Sequence, residues 1–400
     1  MTNQSLVNIC RLLRRTNSRD EVLHILNSQS LLVRRLFARL APFVPADSSK
    51  YQLAQNIINT VSCCKLQAKT IVSWNIDSLR SQIIDRVRGK CHMGRTIDPE
   101  SPMGQLFSDT NPDIICLQET KLQKIHEDCF DINGYHTYWN SSTQKSGYSG
   151  VALWSKEKPL RVTYDLPGLE PELQHEGRII TAYYAGFVVV NTYVPNTLRA
   201  GNKPARGWKS DEQQRQYELY INRRQVWDAL LGMYLRDLQD KIGSVIWCGD
   251  LNVARTLQDI HNGTKTENRI QVEIQKLSRP GVLKRYEQRL LMARKAMTHG
   301  GGAGLRLEER EGIENILKNS GLIDAFRDLY PFEYGFTWWD RMRPAFRSAD
   351  NGWRIDYFML SPNLLVCVDS IKVYSSLGVT GTGSDTKVVS DHAPLVLTFF

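Results

Sequence analysis

The stretch GSVIWCGDLNVA at residues 243–254 runs apolar from Val245 to Cys248 and turns polar at Asp250 and Asn252. It is one of a series. Short apolar segments recur through residues 69–400 as TIVSWNI, DIICLQE, GVALWS, ITAYYAGFVVVNTYV, GSVIWCGD, RIDYFML and APLVLTFF, several of them rich in β-branched or aromatic side chains. Such side chains fit a pleated, half-buried surface, so these segments read as strands. Between them, residues 210–240 and 306–319 carry apolar residues at helical period. Strands interleaved with helices over this length predict one α/β domain whose sheets are covered by helices. With 42% hydrophobic and 23% charged residues there is ample material for its core. No window approaches the ~18 uninterrupted apolar residues of a membrane span, so no membrane association is expected.

Two segments stand apart from this pattern. Residues 1–68 show helical spacing of Leu, Ile and Val and form a predicted basic helical extension, with 69–400 as the main domain. Residues 265–304 interrupt that domain with a predicted basic helical insert, which costs little loop entropy at a surface. Each segment carries nine Lys/Arg against three Asp/Glu, so the net charge of +9 is confined to these additions and the remainder is slightly acidic. A basic excess so placed is a footprint for a polyanion such as nucleic acid, or else the solvated face of ordinary helices. The apolar stripe of the extension also leaves room for a protein partner. The eight cysteines, among them Cys116 and Cys248 within apolar runs, read as reduced core residues of an intracellular protein.

The polar ends of the strands carry the chemistry. SWNIDSLR offers Asn75 and Asp77, LQETK offers Glu119, CGDLN offers Asp250 and Asn252, WRIDYF offers Asp356, and VVSDHAP offers Asp391 and His392. Residues separated by one position share a face of extended backbone, and α/β sheets tend to bind ligands beyond their strand ends. One such residue alone is more often a turn cap. Five together, with the acid and amide mixture that suits Mg²⁺ beside a phosphate, point to a site for metal-assisted phosphodiester hydrolysis.

These blocks, with GYSGVALWS, EGRIITAYY and NTYVPN between them and all in order, resemble the exonuclease III / apurinic-apyrimidinic (AP) endonuclease family within the endonuclease/exonuclease/phosphatase superfamily. The resemblance spans residues 70–264 and 305–400. It implies a four-layered α/β sandwich of two mixed sheets, and Mg²⁺ as cofactor with Mn²⁺ able to substitute. Asn75, Asp77, Glu119 and Asp391 would form the metal region. Asp250 would ready the attacking water, with Tyr193 as another activator; Asn196, Asn252 and His392 would hold the phosphate, and Asp356 would pair with His392. Trp338, Trp353 and Ile355 would wall a pocket for a sugar without its base, since rings and an aliphatic group favour such a nucleotide; Trp339 reads instead as core. Arg80, Lys121, Tyr148, Arg178, Arg199 and Met342 fall where the family approaches DNA.

The implied function is hydrolysis of the backbone 5′ to an abasic site in double-stranded DNA, leaving a 3′-hydroxyl, with 3′–5′ exonuclease or 3′-phosphodiesterase activity beside it. A nuclear location fits that substrate. The rival readings are another enzyme of the superfamily, such as a retroelement-type endonuclease, and a catalytically silent DNA-binding scaffold. The sequence departs from the family where Ser78 replaces a common glycine, where Val389 precedes SDH, and in the loop from Arg341 to Asp350.

Overall fold

A computed structural model describes residues 68–79, 97, 99, 101–130, 132–201, 210–261, 303–343, 345–365, 367–380 and 387–400. The expected helical extension and nearly all of the basic insert lie outside the described residues.

Two six-stranded sheets face each other. The first has the order β11-β14-β1-β2-β4-β3, formed by β1 (Thr70–Asn75), β2 (Ile114–Gln118), β3 (His136–Asn140), β4 (Val151–Ser155), β11 (Val368–Val373) and β14 (Leu395–Phe399). The second, β5-β6-β7-β8-β10-β9, is built from β5 (Arg161–Thr163), β6 (Ile179–Tyr184), β7 (Phe187–Tyr193), β8 (Val245–Asp250), β9 (Ile323–Asp324) and β10 (Asp356–Leu360). A ribbon of β12 (Val379–Thr380) and β13 (Lys387–Val388) stands apart. Both main sheets are mixed: β1 runs parallel to β2 and β7 to β8, while the other pairs are antiparallel.

A parallel pair needs a crossover, and helices supply it. Helix α1 (Pro102–Thr110) connects β1 to β2, and α2 (Asp211–Ile242) connects β7 to β8. Helix α2 starts where the Ser210 side chain accepts from the Gln213 amide, with Asp211 and Glu212 in its first turn, and it stops at Gly243 with φ 74°. These are the cap chemistries that satisfy orphan backbone groups at each end. Helix α3 (Leu307–Ser320) lies beside α2, and the short α4 (Ala325–Leu329) precedes β10.

Alternation along each strand divides the apolar residues between two surfaces. Ile71, Cys116, Leu153, Ile180, Val189, Ile246 and Phe358 meet between the sheets. Val190, Trp247, Tyr357 and Met359 face outward to Trp227 and Leu231 of α2 and Ile313 of α3, and Val72, Trp74, Ile115 and Trp154 face outward to Met103 and Leu106 of α1. The result is helix, sheet, sheet, helix, the four-layered sandwich expected. Cys116 and Cys248 are buried and free as anticipated. Cys367 is disulfide-bonded, which corrects the all-reduced reading; paired cysteines carry no sequence mark that separates them from core thiols.

Candidate active site

Strand register brings the polar ends to one edge. Asp250 is level with Tyr193 across the parallel β7–β8 pair and with Asp356 across the antiparallel β8–β10 pair. From the opposite sheet, Asn75 at the end of β1 reaches across and donates through Nδ2 to Glu119 Oε1 (3.0 Å) and Asp250 Oδ2 (2.9 Å). One amide thus ties the two sheets at the site. Its own oxygen accepts from the Asp77 amide at 3.1 Å, so Asn75 spaces the acids.

The backbone here is held in rarely populated conformations. Asp77, Glu119, Lys121 and Asn252 have φ between 46° and 51°, and Ser78 has φ 101°. Left-handed residues cluster where surrounding structure overrides local preference, commonly at functional sites. Ser78 occupies left-handed backbone of the kind that favours glycine.

Glu119 Oε1 also accepts from the Tyr193 hydroxyl at 2.8 Å, and Oε2 pairs with Lys121 at 2.9 Å. Lys121 bridges on to Asp77, which pairs with Arg341 at 2.5 Å. Burial pushes the Glu119 carboxyl up, but the Lys121 charge and three hydrogen bonds outweigh it and hold the carboxyl below its ordinary range. Burial, joined by the neighbouring Glu119 charge, pushes the Tyr193 hydroxyl well above the usual phenol range. Tyr193 therefore stays protonated at neutral pH and acts as a donor.

His392, buried with Asp250 and Asp356, makes a second cluster. Its Nδ1 lies 2.9 Å from Asp356 Oδ2 and its Nε2 lies 3.8 Å from Asp250 Oδ2. Thr337 donates to the same Asp356 oxygen at 2.6 Å, whereas the buried Asp356 Oδ1 has no partner among the described residues. Burial works against a charged imidazole, yet the Asp356 and Asp250 carboxylates more than offset it and raise the His392 pKa to about 10. Asp250 is raised to about 7, first by burial and then by Asp356, against the opposing pull of His392. A carboxyl so poised is suited to taking a proton near neutrality. Ligand atoms of Asp250, Asp356 and His392 lie within 4.8 Å of one another, so this cluster too has the geometry to hold a metal ion.

Both clusters open into a cleft of about 420 Å³. Glu119, Tyr193, Asn196, Asp250, Asn252, Asp391 and His392 line its polar side, and Trp338, Trp353 and Ile355 its apolar side. The two indoles sit 5.1 Å apart at 50°, and Trp338 Nε1 donates to Asp391 Oδ2 at 3.1 Å. Asn252 donates through Nδ2 to the Val194 carbonyl at 2.8 Å, and Asn196 Oδ1 accepts from the Leu198 amide at 3.2 Å. Trp339 is buried against Phe336 and Ala393, in line with its core reading. Sequence reasoning passed over Leu198, Ala303 and Gly304, which also line the cleft; the HGGGAG tract was the available signal for the last two.

The residues expected to approach DNA divide. Arg80 lies outside the described residues, and Arg199 falls in the short turn Leu198–Ala200. Met342 is 87% exposed on its loop. Tyr148 reaches Arg178, whose Nη2 donates to the Tyr148 hydroxyl at 2.8 Å. Arg178 itself is only 4% exposed, paired with Glu176 at 2.5 Å and lying 4.7 Å from the Tyr193 ring centre. Its guanidinium braces the two tyrosines from within, and a buried acid drew it there. Lys121 instead lies between Glu119 and Asp77 in the cluster described above.

A pair of carboxylate clusters thus opens into one cleft at the strand ends of a two-sheet sandwich. The profile of the endonuclease/exonuclease/phosphatase family matches residues 72–392, and the chain belongs to that family. It is similar to the DNA repair nuclease APEX1 of Danio rerio, 33% identical over 337 residues that cover 82% of this chain and 81% of that one. An exodeoxyribonuclease of Bacillus subtilis is 31% identical over 328 residues, covering 82% and 98%. Among solved structures, an AP endonuclease from Archaeoglobus fulgidus superposes with a TM-score of 0.55 at 25% identity over 83% of this chain and 99% of that one. A 3′–5′ exonuclease from Neisseria meningitidis shares the fold, with a TM-score of 0.58 at 23% identity over 82% and 99%.

Proposed function

We propose that this DNA-repair nuclease hydrolyses the phosphodiester on the 5′ side of an abasic site in duplex DNA. The observation that carries the reading is the meeting of Glu119, Asp250 and His392 in one cleft whose far end is walled by Trp338 and Trp353. A sugar without its base fits between the rings and the polar side, with its 5′ phosphate toward His392 and Asn252. Asp250 takes a proton from water as the water oxygen attacks phosphorus. The bond from phosphorus to the 3′ oxygen of the preceding nucleotide breaks, that oxygen leaves as a 3′-hydroxyl after protonation, and the phosphate stays on the abasic sugar. Charge gathering on the phosphoryl oxygens is met by the His392 imidazolium and by donors already in place, the type of stabilisation that contributes most when it needs no rearrangement.

The acids also fit a hard divalent ion. Glu119 and Asp77 offer carboxylate oxygens, and the Lys121 ammonium between them marks a position where positive charge is satisfied. Mg²⁺ is the proposed occupant, held by Glu119 and Asp77 with Asn75 and Asp391 alongside; when bound it would polarise a phosphoryl oxygen as a Lewis acid. The test pairs a labelled abasic duplex with an intact one, each with Mg²⁺ or with a chelator. Mg²⁺-dependent incision of the abasic strand is expected; equal cutting of both duplexes would favour the retroelement-type reading instead.

A further inference from the structure

Arg354 lies in sequence between two walls of the cleft, Trp353 and Ile355, yet its own side chain is completely buried among charges. Nε donates to Asp259 Oδ1 at 2.8 Å, while Nη1 and Nη2 grip both oxygens of Asp324 at 2.9 and 2.6 Å. The Arg354 amide donates to the Asp259 carbonyl at 2.9 Å, and the guanidinium lies 4.5 Å from the Tyr357 ring centre. Each acid has further partners. Asp259 accepts from Arg327 at 2.5 Å and from the Thr256 amide and hydroxyl at 2.9 Å each, and Asp324 accepts from Arg255 at 2.6 Å.

Burial pushes both carboxyls up, but the arginines, Arg354 foremost, reverse this and hold them below their ordinary range. Networks of this kind are seldom more stabilising than an apolar replacement; what they can supply is fixed geometry. The geometry fixed here is that of the cleft. Ile260, next to Asp259, bridges to Trp353, and Trp353 bridges to Trp338. The Gly352 carbonyl accepts from the His261 amide at 3.1 Å, so the wall segment is laced to the loop that carries Asp259.

We propose that the Asp259–Arg354–Asp324 network is a specificity-determining device, in which Arg354 is a positioning residue that sets how far the tryptophan wall stands from the polar side. A wall held close admits a base-less sugar and turns away a nucleotide that keeps its base. The proposal rests on the functional reading above.

Arg354→Met in the full chain removes the fork and leaves each acid an arginine, Arg327 for Asp259 and Arg255 for Asp324, so folding is expected to survive. Asp259→Asn is the companion variant, loosening the same wall while Arg354 keeps Asp324. With both, kcat and KM are measured on abasic and intact duplexes well below the melting temperature. The ratio of kcat/KM between the two substrates is expected to fall ~10-fold in each variant. KM for the abasic duplex should rise, with kcat within about twofold. If Arg354→Met does not fold, Asp259→Asn decides alone. A wild-type enzyme that prefers abasic DNA, with variants that keep the preference and lose only melting temperature, overturns this inference and spares the functional reading. A wild-type enzyme without preference overturns both.

Discussion

At Asp250 and His392 the chain sets a carboxyl and an imidazole that both hold their protons more tightly than usual, the carboxyl chiefly because it is buried and the imidazole because the Asp356 and Asp250 carboxylates more than offset its burial. Asp250 is a base only above its pKa of about 7, and His392 carries positive charge only below about 10. Because kcat/KM reports the free enzyme, its pH profile is expected to rise with a midpoint near 7 as Asp250 loses its proton and to level off above that. It should fall above about 10 as His392 loses its own. A flat profile across neutrality contradicts the assignment to Asp250. Asp250→Asn keeps the shape and removes the base, so kcat should drop ~10²–10⁴-fold with unchanged circular dichroism. Much of this was legible at the level of single residues, because a strand's period of two makes Asp250 and Asn252 visible as a pair. What Asn75 does was not, since its two carboxylate partners come from 44 and 175 positions away. Arg178 likewise reads as a DNA-facing cation until Glu176 is seen beside it.

Strands β1, β2, β4, β8, β10 and β14 were visible in sequence because each is buried along nearly all of its length, which concentrates apolar residues in it. The run ITAYYAGFVVVNTYV resolves into two strands, β6 and β7, turning at Gly186 with φ 92°. Edge strands β3, β5 and β11 escaped notice because they face solvent on one side and mix polar with apolar residues. Within β8, Gly249 has φ 131°, and a Cβ there would overlap the Thr192 carbonyl oxygen. Asp250 follows immediately, so the close approach of β8 to β7 aims its carboxyl. Gly249→Ala is expected to cost about 2 kcal/mol or more of stability and to lower kcat even at temperatures where the variant is folded. Thermal melting and turnover measured on one preparation check both effects.

At the scale of the whole molecule the positive charge is unevenly spread along the chain. The +9 net charge arises from residues 1–68 and 265–304, and the remainder of the chain, which carries the family fold, is slightly acidic. Neutralising phosphates releases counterions, and the slope of affinity against salt counts those contacts. Removing residues 265–302 while retaining Gly304, which lines the cleft, should make that slope shallower and leave kcat nearly unchanged; an unaltered slope contradicts a DNA-binding role for the insert. Sequence showed these additions as charge runs, but charge by itself does not say which surface they cover. The seven apolar segments and two amphipathic helices made an α/β domain legible, whereas the sandwich of two sheets came from the family resemblance, because strand order and sheet pairing leave no mark in local patterning. If distant acids, an amide and an imidazole form one hydrolytic pocket for an abasic phosphodiester, the chemistry of the new strand end reports it. Incubated with an abasic duplex and Mg²⁺, the protein is expected to leave a 3′-hydroxyl that a polymerase extends, with the abasic sugar on the 5′ side of the downstream fragment. An uncut strand, or a break on the 3′ side of the abasic sugar whose end resists extension, contradicts it.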